Sequence, residues 1–138
     1  MAAVTGLKGL WHLALNVADP ARSRAFYESM FGMRVVWQPD PDNVYLSSGQ
    51  DNLALHRASD SIGTDRHRAN QPLDHLGFVV DSVATVDRLF AQAERGGVTI
   101  VKPCKRHRDG SYSFYVADPD GNVVQVLYEP TISGRAED

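Results

Sequence analysis

The sequence predicts an α+β protein of two tandem βαβββ modules whose curved mixed sheets enclose a cavity. Three observations carry this prediction. The chain contains a near repeat, Leu10-Trp11-His12-Leu13-Ala14-Leu15-Asn16-Val17 and Leu73-Asp74-His75-Leu76-Gly77-Phe78-Val79-Val80, each an apolar run with histidine at its third position. Each copy precedes an aspartate able to open a helix, after which the same order of strand signals recurs. Length is the third: 138 residues with 43% hydrophobic content suffice for one compact core and require no second domain. The expected single domain, 1–138, comprises module one at 8–58, a linker at 59–72, module two at 73–130 and a frayed tail at 131–138.

Residues 10–17 have strand length, and Ala18-Asp19-Pro20 then offers an N-cap followed by proline at the first helical position. Phe26, Tyr27, Met30 and Phe31 recur at helical spacing against Arg22, Arg24 and Glu28, and Gly32 supplies a stop, so the helix runs 20–31. A strand at 33–38, a turn at 39–43, a strand at 44–47, a turn at 48–51 and a strand at 52–57 complete module one. In module two the first strand covers 73–80. Asp81 caps a helix whose apolar face is Val83, Val86, Leu89, Phe90 and Ala93, ending at Gly96-Gly97. Strands at 98–102, 111–117 and 123–128 follow. Residues 59–72 are polar and charged, which reads as a surface linker or an active-site flap.

Alternate side chains on a strand point to opposite faces, so parity assigns them. Val124 and Val126 should face the helix layer, with Val123, Gln125 and Leu127 facing the cavity. Leu53 and Leu55 should face the helix, leaving Ala54 and His56 for the cavity. Tyr112 and Tyr115 have opposite parity, so only one faces inward. A duplicated strand carrying histidine can bring two imidazoles together across a pseudo-twofold axis, the usual start of a metal site.

Charge narrows the partners. A net charge of -3 and a pI near 5.9 give no general attraction to phosphate backbones or anionic membranes, and basic residues cluster only from Lys102 to Arg108. Nucleic acid and membrane are therefore excluded as expected partners, leaving a small molecule. Cys104 is the only cysteine, which rules out an intrachain disulfide or a zinc ribbon and makes a reducing, cytoplasmic setting the default. No apolar run approaches the roughly 20 residues that span a bilayer, and no signal-peptide pattern opens the chain. The expectation is a soluble, unprocessed protein.

The segment Asp109-Gly110-Ser111-Tyr112-Ser113-Phe114-Tyr115-Val116-Ala117-Asp118-Pro119-Asp120-Gly121-Asn122-Val123-Val124-Gln125 joins two strands through an Asp-Pro-Asp-Gly turn. With the repeated histidine strands, it makes the chain resemble the vicinal oxygen chelate superfamily over about residues 8–130. That superfamily includes glyoxalase I, extradiol dioxygenases, fosfomycin resistance proteins and bleomycin resistance proteins. The resemblance implies a homodimer and one divalent metal ion (iron, zinc, nickel or manganese) held between the modules. It matches His12 and His75 to the two first-strand ligands and puts Gln125 where the family most often has glutamate. The fourth position falls on Ala54, with His56, two residues on and of the same parity, able to replace it.

Two imidazoles and a carboxylate suit ferrous iron with open positions. Glutamine removes the negative charge, and its amide oxygen donates more weakly and takes no proton at neutral pH. Glyoxalase-type isomerisation is expected to use a ligand carboxylate as base, so Gln125 and Ala54 count against it. On the substrate side, His107 and Arg108 precede the Asp109-Gly110 turn, where a loop over the cavity mouth can bind an anionic or oxygen-rich molecule. The alternative there is a solvated basic loop. Tyr115 and Trp37 are further substrate candidates, while Trp11 is expected to pack. Cys104, near Lys102, Lys105 and Arg106, has no catalytic partner in sequence and reads as an inert thiol. The expected function is a metal-dependent dioxygenase or glyoxalase-like lyase or isomerase. The alternative is a metal-free protein that sequesters a small molecule, as bleomycin resistance proteins are thought to do; His12 and His75 would then be core histidines.

Overall fold

The computed structural model describes residues 5–59 and 72–133. It divides into two compact units, Met1–Ile62 and Gly63–Asp138. In the first, β1 (His12–Val17) leads to Asp19, whose carboxylate accepts from the backbone N–H groups of Ala21 and Arg22 at 3.1 and 3.4 Å. This cap, with Pro20 at the first helical position, opens α1 (Pro20–Phe31), and Gly32 closes it in the left-handed conformation at φ 64°. Strands β2 (Arg34–Asp40), β3 (Asn43–Ser47) and β4 (Asn52–Arg57) follow. Their sheet order is β1-β4-β3-β2, with β1 parallel to β4 and the other pairs antiparallel.

Register separates the two faces of this sheet. Leu13↔Leu53, Leu15↔Leu55, Val44↔Leu55 and Leu46↔Leu53 pair on one side, where Leu15, Leu53, Leu55, Val44 and Leu46 form a core with Tyr27 and Met30 of α1. Each such side chain contributes about 1.5–3 kcal/mol by burial, so a one-residue slip that exchanged the faces would forfeit several at once. The other side carries His12, Ala14, Asn16, Asn52, Ala54, His56, Asn43, Tyr45 and Trp37.

The second unit repeats the topology. Strands β5 (Leu76–Val79), β6 (Ile100–Arg106), β7 (Tyr112–Ala117) and β8 (Val123–Tyr128) assemble in the order β5-β8-β7-β6, with β5 parallel to β8. Helix α2 (Val83–Arg95) covers one face, where Phe90 meets Phe114 edge to face at 5.2 Å and Val86, Ala93, Val116, Val124 and Val126 are buried. In the turn before β8 the Asp118 carboxylate accepts from the backbone N–H of Asp120 and Asn122 and from Asn122 Nδ2, and Gly121 takes φ 85°.

Several boundaries differ from the sequence expectation. β1 begins at His12, not residue 10, because β4 begins at Asn52 and pairing stops after the bond from Asn52 N to Trp11 O; Leu10 is 98% exposed. β5 likewise begins at Leu76, leaving His75 just ahead of it. β2 runs through Pro39 to Asp40, shrinking the turn to residues 41–42, and β6 lies at 100–106 rather than 98–102. The α2 N-cap is Ser82, not Asp81: its hydroxyl accepts from Thr85 N at 3.1 Å, while Asp81 accepts from the hydroxyls of Ser82 and Thr85. The start of the expected frayed tail is a helical turn, α3 (Pro130–Ser133), with Glu129 N donating to Ser133 Oγ at 2.9 Å. Residues 60–71 of the expected linker or flap and 134–138 of the tail lie outside the described residues. Among the described residues no helix is long and apolar enough to cross a membrane.

Candidate functional site

On the face of the second sheet away from α2, register aligns Gly77 with Gln125 and Gln125 with Tyr115. His75, two residues before Gly77, has the same parity. Its Nδ1 lies 2.6 Å from Asp74 Oδ1; a carboxylate only accepts, so Nδ1 carries the hydrogen, and in the neutral ring Nε2 then holds the lone pair. The Tyr115 ring stands edge to face against His75 at 5.3 Å, and Lys102 Nζ lies 5.2 Å from the Tyr115 centroid. Of the two tyrosines, Tyr115 therefore belongs to this face. Tyr112 points to α2 and donates to Asp87 at 2.6 Å.

Gln125 is the least conventional member. It is only 9% exposed, and its Nε2 donates to Ser113 Oγ at 3.0 Å. Among the described residues its Oε1 has no hydrogen-bond partner. Gly77 lies beside that oxygen: a Cβ built there would meet it at 3.7 Å, ordinary van der Waals contact. A buried acceptor without a partner costs about 1–3 kcal/mol, a cost that a ligand at this oxygen would relieve. Ser113 also meets His107, with Nε2 3.2 Å from Oγ, so His107 is tied back to the sheet. Arg108, next in the β6–β7 turn, is exposed.

The first sheet repeats part of this arrangement. His12 Nδ1 lies 2.9 Å from Asn52 Oδ1, an atom that only accepts, so here too Nε2 keeps its lone pair. Ala14↔Ala54 and Tyr45↔Ala54 correspond to Gly77↔Gln125 and Tyr115↔Gln125, which makes Ala54 the counterpart of Gln125. His56 pairs instead with Asn16, four residues along from the His12–Asn52 pair, about 13 Å of strand. His56 has a different setting. Asn43 Nδ2 donates to Asp40, which turns Asn43 Oδ1 to His56 Nδ1 at 2.6 Å, and the imidazole stands edge-on to Tyr45 at 5.7 Å. Tyr45 carries Trp37 at 4.9 Å; Trp37 is 58% exposed, and Trp11, expected to pack, is 44% exposed.

Cys104 sits on the α2 side with Tyr112 and Asp87. Burial pushes its thiol up despite the hydrogen bond to Tyr112, opposite to the effect expected of basic neighbours, so the inert reading gains a physical cause. The Tyr112 phenol is pushed up chiefly by its bond to Asp87.

Residues 9–126 match the Glyoxalase/Bleomycin resistance protein/Dioxygenase superfamily. The chain belongs to that superfamily. It is 29% identical over 96% of its length to a 2,2',3-trihydroxybiphenyl dioxygenase of Sphingomonas paucimobilis, of which it spans 45%. It is 28% identical over 84% of its length to a lactoylglutathione lyase of Pseudomonas aeruginosa, of which it spans 80%. A solved lactoylglutathione lyase from Agrobacterium tumefaciens superposes with a TM-score of 0.73 at 26% identity, covering 93% of this chain and 98% of that one. Within the superfamily frame, the residues missed by sequence reasoning are Asn52, Asp74, Asn43 and Ser113, which hold His12, His75, His56 and Gln125. Asp74 adjoins its histidine and was legible as a neighbour; the others act across strands and left no local signal.

Proposed function

We propose that the chain is a metal-dependent enzyme acting on a small molecule bound through two adjacent oxygens. The candidate donors for a divalent ion are Nε2 of His75 and Oε1 of Gln125 in the second unit and Nε2 of His12 in the first. The observation carrying this reading is the state of the donors: both imidazoles have Nδ1 committed to an oxygen, and the buried amide oxygen has no partner among the described residues. Those features fit a divalent cation, since oriented imidazoles and a carbonyl oxygen are established ligands for such ions. When bound, the ion supplies Lewis-acid polarisation of the substrate's oxygens and stabilises negative charge on them.

The chain's own residues shape the rest. Gln125 and Ala54 provide no carboxylate to move a proton, which favours a dioxygenase-type chemistry on a vicinal diol or enediol over isomerisation. A neutral donor set also favours an anionic substrate, and Lys102, Arg108 and His107 add positive or hydrogen-bonding groups around the second sheet. Trp37, Tyr45 and His56 offer an aromatic wall with an acceptor nitrogen at its edge for the distal part of the molecule, and Tyr115 buttresses His75. A homodimer belongs to the same reading.

The second reading is metal-free sequestration of a small molecule, favoured by the missing carboxylates at 54 and 125. Metal analysis of protein purified without chelator from iron-supplied and zinc-supplied cells separates the two. The enzyme reading expects about one equivalent of metal, falling below roughly a tenth in His12→Ala and in His75→Ala. Metal below a tenth of an equivalent in the unmodified protein under both conditions would leave sequestration standing.

A further inference from the structure

We propose that Ser113 and His107 are positioning residues that fix which end of the Gln125 amide is presented for binding. This rests on Gln125 as an oxygen donor, the reading given above. The two ends of a carboxamide are nearly equal in size and opposite in chemistry: the oxygen accepts, and the NH2 group repels a cation. A buried glutamine used as a ligand therefore needs a device that rejects the flipped orientation. The second sheet contains one.

Ser113 stands two residues before Tyr115, the cross-strand partner of Gln125, and is 1% exposed. Its Oγ lies 3.0 Å from Gln125 Nε2 and 3.2 Å from His107 Nε2. A serine hydroxyl alone is ambivalent, because it can accept from the amide NH2 or donate to the amide oxygen. His107 removes the ambivalence. It does so as the neutral tautomer with its lone pair on Nε2, which takes the one hydroxyl hydrogen and leaves Ser113 Oγ with only lone pairs for Gln125; the tautomer protonated at Nε2 would instead donate to Oγ. The NH2 end must then face Ser113. Oε1 then lies on the other side, beside Gly77. Neither Ser113 nor His107 needs to touch the ion or the substrate, and the module-one counterpart position, Ala54, has no amide to orient.

The test is a cobalt(II) titration of metal-free protein, followed by visible absorption, on the unmodified chain, Ser113→Ala, Gln125→Glu and the double variant. Ser113→Ala is expected to weaken cobalt affinity by about tenfold or more, within the range for groups that orient metal ligands. His107→Ala is expected to weaken it at least about threefold, the worth of one hydrogen bond. In the Gln125→Glu background the Ser113→Ala loss should shrink to less than about twofold, because a carboxylate offers an oxygen whichever way it turns. An equal loss in both backgrounds, or none with Gln125 present, overturns the proposal. A second readout needs no metal. In 15N-labelled metal-free protein, exchange of the Gln125 side-chain NH2 hydrogens with solvent should be at least about tenfold faster in Ser113→Ala. If the unmodified chain takes up no cobalt, the metal reading fails on its own, and this exchange result then decides the orientation proposal: unchanged exchange overturns it.

Discussion

His12 and His75 reach the same chemical state by different means. One imidazole is held by an amide oxygen from the neighbouring strand and the other by the carboxylate of the preceding residue. Both leave Nε2 with a lone pair, and the Asp74 partner also makes the imidazole a stronger donor. Asp74→Asn should therefore lower the metal affinity of the protein by about tenfold or more while leaving its fold intact, as read by chelator competition and circular dichroism. The exposed carboxylate makes little other contact, so a large loss of thermal stability in this variant would contradict the role. His56 has the parity of Ala54 but pairs with Asn16, four residues along from the His12–Asn52 pair, and takes Asn43 as its partner.

At the scale of elements, α1 occupies the span its cap, proline and terminal glycine predict, and β4 and β8 occupy theirs, because those signals lie within or beside the element. β1 begins later than its apolar run because its partner β4 begins at Asn52, whereas β5 keeps to Leu76–Val79 although β8 runs one residue further at each end. The turn before β8 depends on Asp118, which holds three groups of the turn at once. Asp118→Ala should cost about 2–3 kcal/mol in urea denaturation, from several hydrogen bonds lost at a buried position. The start of α2 makes a pH-dependent contribution. Bonds first from Thr85 and then from Ser82 hold the Asp81 carboxyl below its ordinary value. The folded pKa thus lies below the unfolded one, so this stabilisation is present above about pH 4 and disappears as pH falls through the folded value. The difference in urea midpoint between the unmodified protein and Asp81→Asn should accordingly be constant near neutrality and narrow below about pH 4.

The whole molecule is a repeat in which matching positions have diverged. Ala54 stands where Gln125 does, Trp37 lies over Tyr45 where Lys102 lies over Tyr115, and each unit keeps its own core. Such divergence leaves one unit with the two candidate donors His75 and Gln125 and the other with His12 and the aromatic pair Trp37 and Tyr45. Leu7 and Leu10 are exposed and Trp11 nearly half so, apolar surface that supports the proposed homodimer. Sedimentation should give a mass of about twice 15.2 kDa, and Leu10→Ser combined with Trp11→Ser should shift the population toward monomer. A monomeric unmodified protein at micromolar concentration would count against the dimer.

The sequence by itself determined the duplicated βαβββ order, the faces of the strands and helices α1 and α2, because periodicity, caps and turn chemistry act between near neighbours in the chain; the superfamily came from a resemblance carried by the histidine strands and the turn segment. It also marked His12 and His75 by their recurrence in two apolar runs, and the resemblance pointed to Gln125. Only the tertiary structure decided which atoms those residues have left to offer. The partner of His12 is 40 residues away and that of Gln125 is 12 away on another strand. Register between distant strands, which no local pattern encodes, sets the hydrogen-bond partners of His12, Gln125 and His56.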